Sequence, residues 1–257
     1  MVTVCFFHSN TPLEMDTQTL LHWLYVGSMI GGALLFWAWS RNPKGVPQYE
    51  YSIAMMIPIW SALAYMGMAL GQGKTQVAGQ ITHYARYMDW VVSTPLLLLA
   101  LAFTAMFYVP KDDRSKTLLF GLVAADVVMI VCGLLADLSE SSTARLVWYL
   151  CGVGAFVAVL SLVWGPVRRI AFDSDPELGG IYTKLASVLT VLWFSYPTIW
   201  ALGPSGLGLL NQTTETLLFV VVPFFSKVGF SILDLQYLRD LAPRKPAYHH
   251  TKAAASA

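Results

Sequence analysis

One lysine stands in the middle of a membrane-length apolar stretch: Lys227, inside TLLFVVVPFFSKVGFSILDLQYLRDL from Thr216 to Leu241. An ammonium in hydrocarbon is costly unless it is neutralised, paired with a carboxylate or used chemically. At ~1.5 Å of rise per residue it lies roughly 16 Å from Thr216, near the midplane of a layer about 30 Å thick and too deep to snorkel out. The plain alternative is a structural lysine paired with a carboxylate on a neighbouring helix. A second group of polar residues lies in YARYMDWVVSTP, Tyr84 to Pro95, where Arg86, Asp89 and Ser93 fall three and four apart and share one helical face. Asp89 is the acid best placed for the lysine. The alternative is an ion pair between Asp89 and Arg86 at the membrane edge. Ala100, on the same face, is roughly 16 Å beyond Asp89. In the lysine's own helix Pro223 stands one turn before it. Asp234 stands two turns, roughly 10 Å, after it. Asp234 either takes a proton from the lysine's side or caps the helix end among Arg239 and solvent.

Further polar and aromatic positions surround this pair. Trp193, Tyr196 and Trp200 recur at helical spacing beside a kink-capable Pro197. Such a stripe is ordinary core, and it also suits the walls of a flat conjugated ligand. Tyr65 reads equally as packing or as ligand wall. Asp126, deep in its span, is expected to be protonated and hydrogen-bonded, lining a pocket rather than supplying a counter-charge. Glu50 reads as a solvated charge at a helix start, and His22 as an interfacial residue.

The elements that must hold these residues follow from composition. The chain has 257 residues, 56% hydrophobic and 12% charged, with a net charge of +1, which excludes an ordinary soluble domain. Apolar spans occur near Leu20–Ser40, Tyr51–Leu70, Tyr84–Val109, Thr117–Ser139, Leu146–Ile170, Tyr182–Gly203 and Thr216–Leu241, predicting an all-α bundle of seven transmembrane helices. Twelve basic residues fall in the loops and tail on one side, against Lys74 and Arg145 on the other. That bias places the N-terminus outside and the C-terminus in the cytoplasm. Residues 1–19 lack a basic n-region and a small-residue cleavage site, and read as an extracellular tail; 20–241 form the membrane domain, and 242–257 a disordered cytoplasmic tail. Gly27, Gly31 and Gly32 are expected to let a neighbouring backbone approach the first helix. Cys5, Cys132 and Cys151 form neither a disulfide framework nor a metal site. The glycosylation pattern at Asn211-Gln212-Thr213 is too short to assign a function.

Seven spans, the mid-membrane lysine in the last, RYMDW followed by STP in the third and WFSYP with Trp200 in the sixth together resemble the microbial rhodopsins over essentially the whole chain. The resemblance implies a retinal photoreceptor rather than an enzyme, with retinal held as a covalent protonated Schiff base on Lys227. It implies Asp89 as counterion, Arg86 ordering water beside it, and Ser93 in the same face. Trp90, Thr94, Trp193, Tyr196, Trp200, Tyr65, Asp126, Met129, Pro197 and Pro223 are implied as the pocket. Outward proton pumps of the family carry a second aspartate where this chain has Pro223, and commonly a carboxylic donor where it has Ala100. The Asp89, Ser93, Ala100 triplet with Pro223 resembles the xenorhodopsin clade, and LLHWLYV, SRNPKGVPQYEY, GQITHYARY and PFFSKVGFS look close to the sensory rhodopsin type known from Anabaena. Light-driven inward proton transport follows, with Asp234 as acceptor; the alternative is a photosensor signalling to a separate soluble cytoplasmic transducer. The implied setting is the prokaryotic plasma membrane, with lipid and protons as partners, a trimeric homo-oligomer by family analogy, and neither metal nor nucleic acid.

Overall fold

The computed structural model describes residues 16–245. Seven helices are long and apolar enough to cross a membrane: α1 Thr17–Ser40, α2 Gln48–Ala69, α3 Tyr84–Ala105, α4 Lys116–Asp137, α5 Ser142–Ser174, α6 Pro176–Leu202 and α7 Gln212–Leu241. Each of the seven expected spans is present. The proposed tails, including Cys5, lie for the most part outside the described residues. Neighbours in sequence pack side by side, α7 closes the ring against α1, and α3 touches α2, α4, α5, α6 and α7. Of its most apolar window 67% is buried, against 22% for α4 and α5, which makes α3 the central element. Polar residues on α3 therefore face protein. Leu24, Leu34, Trp37, Phe120 and Val191 face outward, as an apolar solvent requires.

Local chemistry sets most helix ends. Ser115 and Ser141 cap α4 and α5 by accepting from Leu118 N at 3.3 Å and Ala144 N at 3.5 Å. Asp175 caps α6 by accepting from Glu177 N at 2.8 Å and Leu178 N at 3.1 Å, with Pro176 at the first helical position. Asn211 accepts from Thr214 N at 2.8 Å, so the residue of the glycosylation pattern is a helix cap.

Three features depart from expectation. Between α2 and α3 lies an antiparallel hairpin, β1 Thr75–Val77 with β2 Gln80–Thr82, turned through Ala78 and Gly79, both at positive φ. Two central residues in that region make a turn whose twist matches the strands. The second departure is α5, which continues past Pro166 through a wide turn at Val163–Val167 to Ser174. Tyr182 Oη donates to Val163 O at 2.7 Å, satisfying a carbonyl in that stretch. The third concerns the glycines of α1. Only Gly32 meets a neighbour, since a Cβ there would lie 2.7 Å from Val228 Cγ2, whereas Gly27 and Gly31 face open space. The close approach is thus specific to the turn beside Lys227.

Candidate functional site

Lys227 is fully buried in a wide turn of α7, Phe225–Gly229. Pro223 begins the disturbance. It has no N–H, so the carbonyl four residues earlier, Phe219 O, loses its helical partner. Tyr65 Oη donates to that oxygen at 2.6 Å. Tyr65 and Pro223, both expected at a ligand wall, are thus joined in a single repair of the α7 backbone, which holds α2 against the lysine's helix.

The lysine's partner is the acid expected from its position. Lys227 Nζ donates to Asp89 Oδ2 and, at 2.9 Å, to Ser61 Oγ. Ser61 donates to the same carboxylate oxygen at 2.9 Å, and its contact with Tyr25 Oη at 2.8 Å then has Tyr25 as donor. Asp89 Oδ1 has no partner among the described residues. Ser93 lies on the expected face, fully buried, with its hydroxyl committed to Asp89 backbone O at 2.9 Å rather than to the carboxylate.

Arg86 departs from the ion-pair alternative. It turns away from Asp89 to Glu215 at 3.6 Å, both side chains buried, with its guanidinium 4.1 Å from the centre of the Phe219 ring. A carbon added at Gly203 would come within 2.5 Å of Glu215 Oε1, so that glycine makes room for the acid. Sequence reasoning missed Glu215, because an acid in the first turn of a helix reads as a capping charge. Arg86→Gln is expected to leave Glu215 buried without its cation and to destabilise the protein by about 3–5 kcal/mol. Thermal unfolding in detergent measures this, and an unchanged midpoint would contradict the pairing. At the same end His22 and His83 meet edge to face, 5.8 Å between ring centres, and both are buried. His22 is therefore not an interfacial residue. Burial first, and Arg86 second, push His83 down to about 3, so it is neutral at pH 7 and adds no charge beside the arginine.

An apolar cavity lies between α3, α4, α5 and α6. Its lining is mostly aromatic and aliphatic, as the walls of small-molecule sites are. Trp90, Thr94, Met129, Trp193, Tyr196, Pro197 and Trp200, all expected, line it, and so do Tyr149 and Gly152, which the sequence did not single out. Trp90 meets Tyr196 edge to face at 5.2 Å, and Tyr149 stacks on Trp200 at 5.0 Å. Tyr196 joins the cavity to the lysine's helix through a 2.8 Å hydrogen bond with Ser226 Oγ. Asp126 is fully buried and accepts from Thr94 Oγ1 at 2.7 Å. A flat apolar polyene reaching a buried amine fits these walls. The residues present suit retinal.

At the opposite end of the bundle Asp234 is 3% exposed and accepts from Thr104 Oγ1 at 2.6 Å. It is not a solvated cap. Arg239 instead donates from Nη1 to Trp39 O, Asn42 O and Tyr51 Oη at 3.1, 2.7 and 2.9 Å. Ala100 is buried on the face of α3 between the two ends. Glu50 overturns its reading as a solvated charge, being 2% exposed. Cys132 and Cys151 are unbonded, the first buried and the second exposed on α5.

Comparison with known proteins agrees with this geometry. Residues 16–241 match the model of the family described as bacteriorhodopsin-like protein. Archaerhodopsin-3 of Halorubrum sodomense is 35% identical over 222 residues, covering 83% of this chain and 83% of its own. Sensory rhodopsin-2 of Natronomonas pharaonis is 31% identical over 218 residues, covering 84% and 87%. The solved structure of the light-driven proton pump of Coccomyxa subellipsoidea, 28% identical, superposes with a TM-score of 0.77 over 86% of this chain and 96% of that one.

Proposed function

The chain belongs to the bacteriorhodopsin-like family of microbial rhodopsins, retinal proteins of the light-driven proton-pump or sensory type, and from that premise we propose that it moves protons inward under light. The single observation that carries the direction is the distribution of acids around Lys227. One carboxylate, Asp89, faces the amine, the turn before it carries Pro223 instead of a second acid, and a buried Asp234 waits on the other side. This is the pattern that resembles the xenorhodopsin clade.

Bound retinal supplies a light-driven isomerisation that reorients the N–H at Lys227 Nζ. Every other task falls to the chain. Asp89 favours the protonated amine nitrogen in the dark, since the nearest opposite charge stabilises the cation. Ser61 and Tyr25 hold that carboxylate by hydrogen bonds from one side, while Asp89 Oδ1 is left to take a further donor such as water. Arg86 is bound to Glu215, so positive charge close to Asp89 is already balanced. Asp234, held by Thr104, is the acceptor on the far side. The roughly 10 Å between it and Lys227 Nζ, counted along the helix, exceeds hydrogen-bond reach, and water has to carry the proton across. Reprotonation of Nζ from the Arg86 end completes one inward transfer. The loop bias of basic residues supports assigning the Asp234 end to the cytoplasm.

Illuminating cells that express the protein with retinal tests the reading. Inward transport makes the medium more alkaline, and a protonophore abolishes the signal. Acidification would reverse the direction. No sustained pH change, with a soluble protein bound at the cytoplasmic loops only in light, would favour the sensory alternative, a role printed in the name of the Natronomonas relative.

A further inference from the structure

Two buried histidines at the Arg86 end have no part in the route described so far. His22 on α1 is 3% exposed, and His83, which follows the hairpin and caps α3, is 5% exposed. Their ring centres are 5.8 Å apart, yet His22 Nε2 and His83 Nδ1 have no hydrogen-bond partner among the described residues. Two buried polar atoms left open in one place call for water beside them. His83 is firmly held. Thr82 Oγ1, next to it, donates to Asp137 O at 3.2 Å, and His83 O accepts from Arg86 N at 3.1 Å. Ile81 and Tyr84 on either side are exposed, so the pair begins within a residue of the surface.

From His22 the polar groups continue toward the lysine. Tyr25 lies one turn further along α1, buried on the same face. Tyr65 packs beside both, its ring centre 5.7 Å from that of His22 and 4.0 Å from that of Tyr25. It gives its only hydroxyl proton to Phe219 O, so it is a wall and not a carrier. Tyr25 Oη donates to Ser61 Oγ at 2.8 Å, and Ser61 Oγ is 2.9 Å from Lys227 Nζ. Hydrogen bonds therefore run unbroken from Tyr25 to the lysine, and the one turn between Tyr25 and His22 is the gap that water has to bridge.

The charged groups facing the pair are Arg86 from α3, Lys74 from the connection before the hairpin and Asp16 at the start of α1. Arg86 does not give up a proton in a protein. Glu215 is engaged by Arg86 at 3.6 Å and by Gln212 Nε2 at 3.3 Å, and Asp137 by Ser205 Oγ. A neutral imidazole accepts at one nitrogen and donates from the other. It passes a proton without keeping a charge beside the arginine.

We propose that His22 and His83 are the proton-entry pair of the extracellular half, delivering a proton from outside water through Tyr25 and Ser61 to Lys227 Nζ once that nitrogen has lost its own. The hops balance. His83 takes a proton from water at one nitrogen and releases one to His22 from the other, and His22 does the same toward the bridging water. That water protonates Tyr25 Oη as the Tyr25 O–H breaks toward Ser61, and the Ser61 O–H breaks as the Nζ–H forms. One proton enters, and each carrier ends with the number it began with. This inference rests on the inward reading and names the groups that refill Nζ.

His22→Phe and His83→Phe, each made in the full chain and loaded with retinal, test it. Phenylalanine keeps the edge-to-face packing and removes the nitrogens that pass the proton. Neither histidine lines the cavity, so an unshifted visible band reports a folded pigment. After a flash, the band follows the proton on Nζ, while a pH-sensitive dye follows uptake on the extracellular side of oriented vesicles. Each variant is expected to lose the Nζ proton at the wild-type rate and to regain it at least about tenfold more slowly, less than a fully used proton carrier contributes. Imidazole in the medium, a diffusible carrier of the same chemistry, should restore most of that rate, which it does not do for a packing defect. Wild-type recovery in both variants, or slowing that imidazole leaves unchanged, would overturn the entry pair while inward transport by the wild type stands. A wild type that moves no protons inward would overturn the transport reading, and the entry pair with it.

Discussion

Lys227→Ala is expected to stay colourless when retinal is added, with no visible band under conditions that give the wild type its pigment. Lys227 is the amine within α7's wide turn, and no other lysine among the described residues is buried. The same substitution strips Asp89 of its cation. Asp89 is then a fully buried acid with only Ser61 donating to its carboxylate, and breaking such a pair costs about 3–5 kcal/mol unless the acid takes up a proton. Lys227→Ala with Asp89→Asn removes both charges together. That double variant should recover much of the lost stability while remaining colourless, which separates a failure to fold from a failure to bind. A normal coloured band in Lys227→Ala would end the assignment of the covalent link.

The second large effect is expected from Asp234→Asn. The amide keeps the side chain's size and can still accept the hydrogen bond from Thr104, so the packing of α3 on α7 should survive. It cannot take up a proton at neutral pH. Inward transfer is expected to fall by about 10²-fold or more, in line with the loss of a positioned proton acceptor. The pigment band should change little, because Asp234 does not line the cavity. Light-driven pH changes in vesicles, read beside the absorption spectrum, measure both. Unchanged inward transport would remove Asp234 from the route.

These expectations depend on pairings of unequal legibility. Lys227 with Asp89 could be read from the sequence, since a charge at mid-membrane must find an opposite one and few acids lie at the right depth. The aromatic walls at Trp193, Tyr196 and Trp200 were legible from helical spacing, although spacing alone does not separate a ligand wall from core. Arg86 was legible as a polar residue on the right face and illegible as to partner. Asp89 is three residues away in sequence, Glu215 more than a hundred, and the arginine chose Glu215. Tyr65 and Pro223 were expected to serve the pocket independently and turn out to be joined at Phe219 O, a link that depends on where a carbonyl freed by proline happens to point.

Hydropathy by itself determined that this chain folds as seven helices, because a bilayer admits few other ways of satisfying backbone polar groups, and it determined that Lys227 lies too deep to reach water. Helical period determined which residues share a face. What each face meets was decided only by the tertiary structure, since the rotation and approach of neighbouring helices come from packing contacts spread along their whole length. The close contact of Gly32 with Val228 and the burial of Glu50 are set in that way. A residue at a helix start looks the same in sequence whether it meets solvent or the interior of the bundle, and Glu50 meets the interior.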